Sequence, residues 1–200
     1  QVLNVSVLVK LITLICSTNQ IQILDTTNLI LLTDLRCNNN QIQILDTSNL
    51  VNLITLLCFT NQIQILDTTN LIAIFDLRCN NNQIQILNTS NLVNLSVLYC
   101  HFNQIQILNF INLADLTVVL CNDNQIQTLD LSITNKIRYL KCENNQLSNI
   151  VNSQLLIDLD GHGLSNGYFR SSIFGGGTLT TAGATAKANL QAKGWTIVGI

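Results

Sequence analysis

The residue type best equipped for chemistry in this chain is cysteine, and its spacing decides which chemistry is open to it. Cys16, Cys37, Cys58, Cys79, Cys100, Cys121 and Cys142 each fall 21 residues after the last. Metal sites draw on cysteine pairs roughly two to four residues apart, not on singles at this interval. In-register stacked thiols keep their Cβ atoms about 4.8 Å apart, beyond the ~3.5–4.5 Å of a disulfide, and an odd number is a poor disulfide framework. The spacing predicts buried free thiols, small and weakly polar, packed against their own copies.

The remaining candidates are sparse. His101 and His162 lie far apart, and His101, beside Phe102, is expected to be a surface contact residue. "DLDGHG" gives Asp158 and Asp160 the spacing of a calcium loop's first two ligands. The twelfth position of such a loop is Phe169, where a bidentate Glu is required, so an ordinary turn is expected. "FGGGT" (174–178) has neither the Lys nor the spacing of a phosphate loop and reads as a turn. No G-x-S-x-G, P-loop or H-E-x-x-H motif occurs, so no catalytic residue, metal or cofactor is assigned and the chain is expected to be non-enzymatic.

The elements that hold these residues follow from the period. Asn19, Asn40, Asn61, Asn82, Asn103, Asn124 and Asn145 keep the same step, each followed by Gln. Apolar columns run in phase: Leu14, Leu35, Leu56, Leu77, Leu98, Val119, Leu140; Ile21 to Leu147; Leu24 to Ile150. A strict period of this length means a solenoid. Each repeat supplies a short strand around x-Leu-x-Cys, a turn and an irregular return path. One repeat cannot offset its own ordering entropy, so neighbours must stack on both sides. An Asn amide buried at the turn can donate to and accept from backbone groups that the bend leaves unpaired. Copies two and four share "DLRCNNNQIQIL", which points to a duplicated pair of repeats.

"LITLICSTNQIQIL" (11–24) fits L-x-x-L-x-L-x-x-N-x-L with Cys in the third leucine slot, so the chain resembles leucine-rich repeat proteins. Its C-x-x-N-Q-I form, followed by "LD", is similar to repeats in surface proteins of Bacteroidetes-type bacteria and in phage-encoded proteins. The resemblance covers 1–151 and implies a mainly β, α/β-type repeat solenoid: a right-handed superhelix with a parallel sheet on its concave face. It also implies a place outside the cell, on the cell surface or on a virion. Residues 152–200 are expected to form a small β-α-β cap. In it "SQLLIDLDG" is read as a strand, "GYFRSSIFGGG" as a second, "TTAGATAKANLQAKG" as a helix capped by Thr180 or Thr181, and "WTIVGI" as a closing strand.

Charged residues make up only 10% of the chain against the usual ~25%, and the net charge is −2. Nothing here attracts nucleic acid or an acidic membrane. No apolar run reaches the ~18 residues of a membrane-spanning helix. Residues 1–10 align with 22–31, so the chain starts partway through a repeat, as a piece of a longer protein or a trimmed form whose first turn serves as cap.

With Leu14 and Cys16 pointing inward, the residues on either side of each inward Leu face the concave side. There Asp34 with Arg36, and Asp76 with Arg78, are expected to pair; Leu57, Phe59, Tyr99, His101 and Phe102 lie around them. This surface suits recognition of a protein or glycan, or it merely solves sheet packing. Asp, Asn and Thr after each third column ("LDTT", "LNTS") form another row. Threonine rows can bind ice on flat solenoids, but this stretch is expected to be the return path, its first residue turned inward. Finally, Ile23, Ile44, Ile65, Ile86 and Ile107 follow an exposed Gln column. If exposed themselves, they form an apolar stripe ~20 Å long that suits self-association. The two functional expectations are a binding module and, as the alternative, a self-associating fibre, filament or sheet subunit.

Overall fold

A computed structural model describes residues 1–200. The chain begins with two residues of β1 (Val2–Leu3), β2 (Thr13–Ile15) and the short β3 (Ile23–Leu24). One strand per coil follows: β4 (Asp34–Arg36), β5 (Thr55–Leu57), β6 (Asp76–Arg78), β7 (Val97–Tyr99), β8 (Val118–Leu120) and β9 (Tyr139–Lys141). The end piece is α1 (Asn149–Gly161), β10 (Tyr168–Arg170), α2 (Thr181–Ala192) and β11 (Thr196–Val198). Nine strands form one parallel sheet in the order β11-β10-β9-β8-β7-β6-β5-β4-β2. Its register is the period itself: Leu14 pairs with Leu35, Leu35 with Leu56, and so on to Val119 with Leu140.

The stack is held by its backbone and by side chains that act as backbone. Cys16 N–H donates to Arg36 O at 2.8 Å, and Thr33 N–H donates back to Ile12 O at 2.8 Å. After each strand the chain turns through a left-handed residue: Thr18, Asn39, Thr60, Asn81, Phe102, Asp123 and Asn144 all have φ between 52° and 57°. That turn frees carbonyls which the following Asn satisfies. Asn61 Nδ2 donates to Cys58 O at 3.0 Å within its own coil and to Cys37 O at 3.1 Å in the coil before. Its Oδ1 accepts from Ile42 N–H at 3.0 Å. The seven cysteines are free and buried beside this column.

The return path is built differently from its polar look. Thr26, Thr47, Thr68 and Thr89 are almost wholly buried. Each donates its hydroxyl to a main-chain carbonyl of the next coil, at Asp46, Asp67, Asn88 and Asn109. Phe110 and Leu131 fill the same column further on, so it is core throughout and not a solvent-facing threonine row. Asp25, Asp46 and Asp67 close the adjacent turn by accepting the N–H two residues on, at 2.9–3.1 Å.

The end piece corrects the expected β-α-β cap. "SQLLIDLDG" is the body of a helix, not a strand. Ser148 caps it by accepting from Val151 N–H, and Asn152, Leu155, Leu156 and Leu159 turn one buried face to the core. Asp158 and Asp160 therefore stand in its last turn, where Asp160 pairs with Lys193 and accepts from Asn189 Nδ2 at 2.8 Å. Burial alone would raise the Asp160 pKa; Lys193 and Asn189 hold it below its ordinary value. α1 begins just inside the expected limit of the array, and Ile150, expected as the last rung of a buried column, is exposed on it. α2 starts at the expected Thr180 cap and packs closely on α1: a Cβ at Gly183 would lie 2.5 Å from Ser153 Cβ. No helix is long and apolar enough to cross a membrane.

Candidate recognition face

Alternation along each three-residue strand sends the middle residue inward and its neighbours outward. The middle residues of β4 to β9 are fully buried, from Leu35 to Leu140. The outward residues differ from coil to coil, and they form the face on which chemistry varies. At the N-terminal end Arg36 pairs with Asp34 at 2.9 Å, and two coils on Arg78 pairs with Asp76 at 3.0 Å. Each pair lies along a single strand, as the sequence predicts. Leu57 and Phe59 lie half-buried between them.

The expected residues gather most tightly at the next rung. Arg78 stacks its guanidinium 4.6 Å from the Tyr99 ring centroid. Tyr99 lies 6.1 Å from His101, whose ring meets Phe102 edge-on at 5.5 Å. Burial lowers the His101 pKa, with Asp123 opposing and Lys141 adding to the shift, so the ring is neutral near pH 7. His162 is remote, at the C-terminal cap of α1.

Two coils further the face continues onto the end piece, which the expected residues do not include. β10 pairs with β9 in register, Tyr168 with Tyr139 and Arg170 with Lys141. The two tyrosine rings stack at 4.8 Å and 14°, and Lys141 Nζ lies 5.7 Å and 5.8 Å from their centroids. Arg170 Nε meets Glu143 Oε1 at 3.2 Å. A signal for this was present: "YLK" at 139–141 and "YFR" at 168–170 are one pattern, Tyr-apolar-basic, on two strands. The column step between them is broken by α1, which hid it.

Comparison with solved structures settles the architecture. The functional domain of InlJ from Listeria monocytogenes, described as including a cysteine ladder, superposes with a TM-score of 0.79 at 29% identity over 92% of this chain. This is a leucine-rich repeat fold. The leucine-rich repeat protein LIC12759 of Leptospira interrogans has the same fold (TM-score 0.78, 22% identity, 96% of this chain). Internalin C2 of Listeria monocytogenes matches 70% of this chain at 27% identity with a TM-score of 0.62. The match covers 39%, 49% and 65% of those three chains, so this leucine-rich repeat chain spans only part of each. No protein-family model matches the sequence, and no curated protein matches it.

The cysteine column of this leucine-rich repeat array is inert by construction. Burial raises every thiol, Cys79 and Cys142 to about 12. Neighbouring thiols add to the rise at Cys58 and Cys121. A thiol is a nucleophile or ligand only as thiolate, and these stay protonated at neutral pH.

Proposed function

We propose that the array is a non-enzymatic recognition module that captures a protein on the outward face of its sheet, from Arg78 through Tyr99 to Tyr168. One observation carries this reading: the inward columns barely change from coil to coil, while the outward ones collect tyrosine, arginine and histidine on neighbouring rungs. Those side chains dominate the binding energy of protein interfaces, because large rigid rings and guanidinium groups bury much area at low entropic cost. The bidentate Arg/Asp pairs hold two guanidinium groups in place without leaving them as free charge. A protein is favoured over a glycan because Lys141, close to both stacked tyrosine rings and in no ion pair of its own, suits an acidic side chain. Adhesion, with the chain outside a cell or on a virion, is the setting that the repeat's resemblance to bacterial surface and phage-encoded repeats favours.

The test is affinity capture from candidate surface-protein extracts with immobilised wild-type chain, followed by surface plasmon resonance on the retained protein. Tyr99→Ala and Tyr168→Ala each weaken binding at least tenfold, the cost of a central interface tyrosine, while Gln85→Ala does not. Equal binding by both tyrosine variants contradicts this reading.

A further inference from the structure

A second regular surface lies on the flank of the stack, away from the sheet face. Two residues after the buried column Ile21, Ile42, Ile63, Ile84 and Ile105, each coil turns one isoleucine outward. Ile23 is 58% exposed, and Ile44, Ile65, Ile86 and Ile107 are 77–80% exposed. Val2, in register with Ile23, extends the row to six rungs and is 67% exposed. Parallel bridges between Leu24 and Leu45 and between Ile44 and Ile65 keep the rungs aligned. Another apolar row, Val9 to Val93, has Ile12, Ile54 and Phe75 beside it, but each of its rungs is about half covered by its own coil.

Successive rungs enclose shallow grooves, one between Ile23 and Ile44, one between Ile65 and Ile86, one between Ile86 and Ile107. Ridge and groove thus alternate with the pitch of the stack, about 4.8 Å. An α-helix advances about 5.4 Å per turn and falls roughly 3 Å out of step over five rungs. A flank of the same pitch stays in step throughout, and the one such flank the molecule certainly meets is its own. The row contains no charge; Gln22, Gln43 and Gln64 border it on one side and Asp25, Asp46 and Asp67 on the other. At about 100 Å² per side chain the six rungs come to roughly 600 Å². With the bordering residues this reaches about the 800 Å² per partner of a standard interface.

We propose that this row is a self-association surface, on which a second copy of the chain packs row against row about a two-fold axis. It is separate from the recognition face and leaves that face open in both copies. Sedimentation equilibrium of the full chain, from about 1 μM to about 1 mM, reads it directly. The expected result is a mass rising from one chain to two, with half-association in the tens of μM. Ile65→Asp combined with Ile86→Asp weakens association at least tenfold and leaves the thermal melt in place, since both side chains are exposed. The centre of the six rungs falls between Ile44 and Ile65, so an antiparallel pair sets Ile44 of one copy against Ile65 of the other; Ile44→Cys combined with Ile65→Cys then cross-links under mild oxidation and Val51→Cys does not. A wild-type chain that stays monomeric throughout overturns the proposal, as does undiminished association of the double variant. Association lost in Tyr99→Ala and kept in the isoleucine variant overturns it as well, by placing the contact on the sheet face.

Discussion

Asn40 and Cys16 belong to different coils, yet the Asn40 amide donates to the Cys16 carbonyl at 3.0 Å while its own oxygen accepts from Ile21 N–H at 2.9 Å. Each asparagine from Asn40 to Asn145 thus fastens its coil to the one before. Asn19, at the start of the stack, bonds only Cys16 O and Ser17 O within its own coil. Removing an interior amide leaves a buried N–H and buried carbonyls unpaired, at about 1–3 kcal/mol for each. Asn61→Ala is expected to cost about 3–5 kcal/mol in urea unfolding, and Asn19→Ala about 1–2 kcal/mol. Equal costs at the two sites contradict a coil-to-coil role.

Alkaline pH should unfold the array through its thiols. An unfolded thiol ionises near its ordinary value of 9.0, whereas folded Cys79 and Cys142 hold their protons to about 12. Between those values the unfolded chain binds fewer protons than the folded one, so stability falls as pH rises. It is fully present below pH 9 and declines by up to about 1.4 kcal/mol per pH unit for each such thiol. Thermal melts from pH 7 to pH 11 should be flat at first and then fall, with a shallower fall in Cys79→Ala. A thiol reagent at pH 8 should find the cysteines unreactive until the chain unfolds. Rapid reaction of Cys58 or Cys100 in the native chain contradicts the burial assigned to them.

The left-handed turn position offers a gain in stability. Thr60 holds φ at 54°, a conformation that crowds a β-branched side chain and that asparagine visits readily. Asn39, Asn81 and Asn144 already occupy that place in other coils. Thr60→Asn is expected to stabilise the chain by about 1 kcal/mol, and Asn81→Val to destabilise it by about 1–2 kcal/mol. Calorimetry on the two variants checks the sign of each.

Where side chains repeat, the spacing carried the structure, because stacking turns a period into straight columns. The Asn and Cys ladders and the Asp34–Arg36 and Asp76–Arg78 pairs were legible that way, whereas an apolar column such as that of Ile44 fits core or surface equally by its spacing. The threonine row was ambiguous at first sight, since its hydroxyls bond carbonyls one coil away. Phe110 and Leu131 in the same column were the clue to burial. "IDLD" alternates like a strand, but Asn152, Leu155, Leu156 and Leu159 fit a helical face once Ser148 is seen as its cap. That helix displaces β10 from the repeat, so Tyr168 and Arg170 joined the proposed recognition face unannounced.

An anomalous-scattering map of the crystallised chain locates sulfur without reference to any assumed trace. Methionine is absent, so every peak must be one of the seven cysteines. The predicted result is seven peaks in a single file, about 4.8 Å apart, running the length of the sheet. Peaks that cluster in pairs at bonding distance, or that scatter through the volume, would contradict the in-register stack on which both proposed surfaces depend.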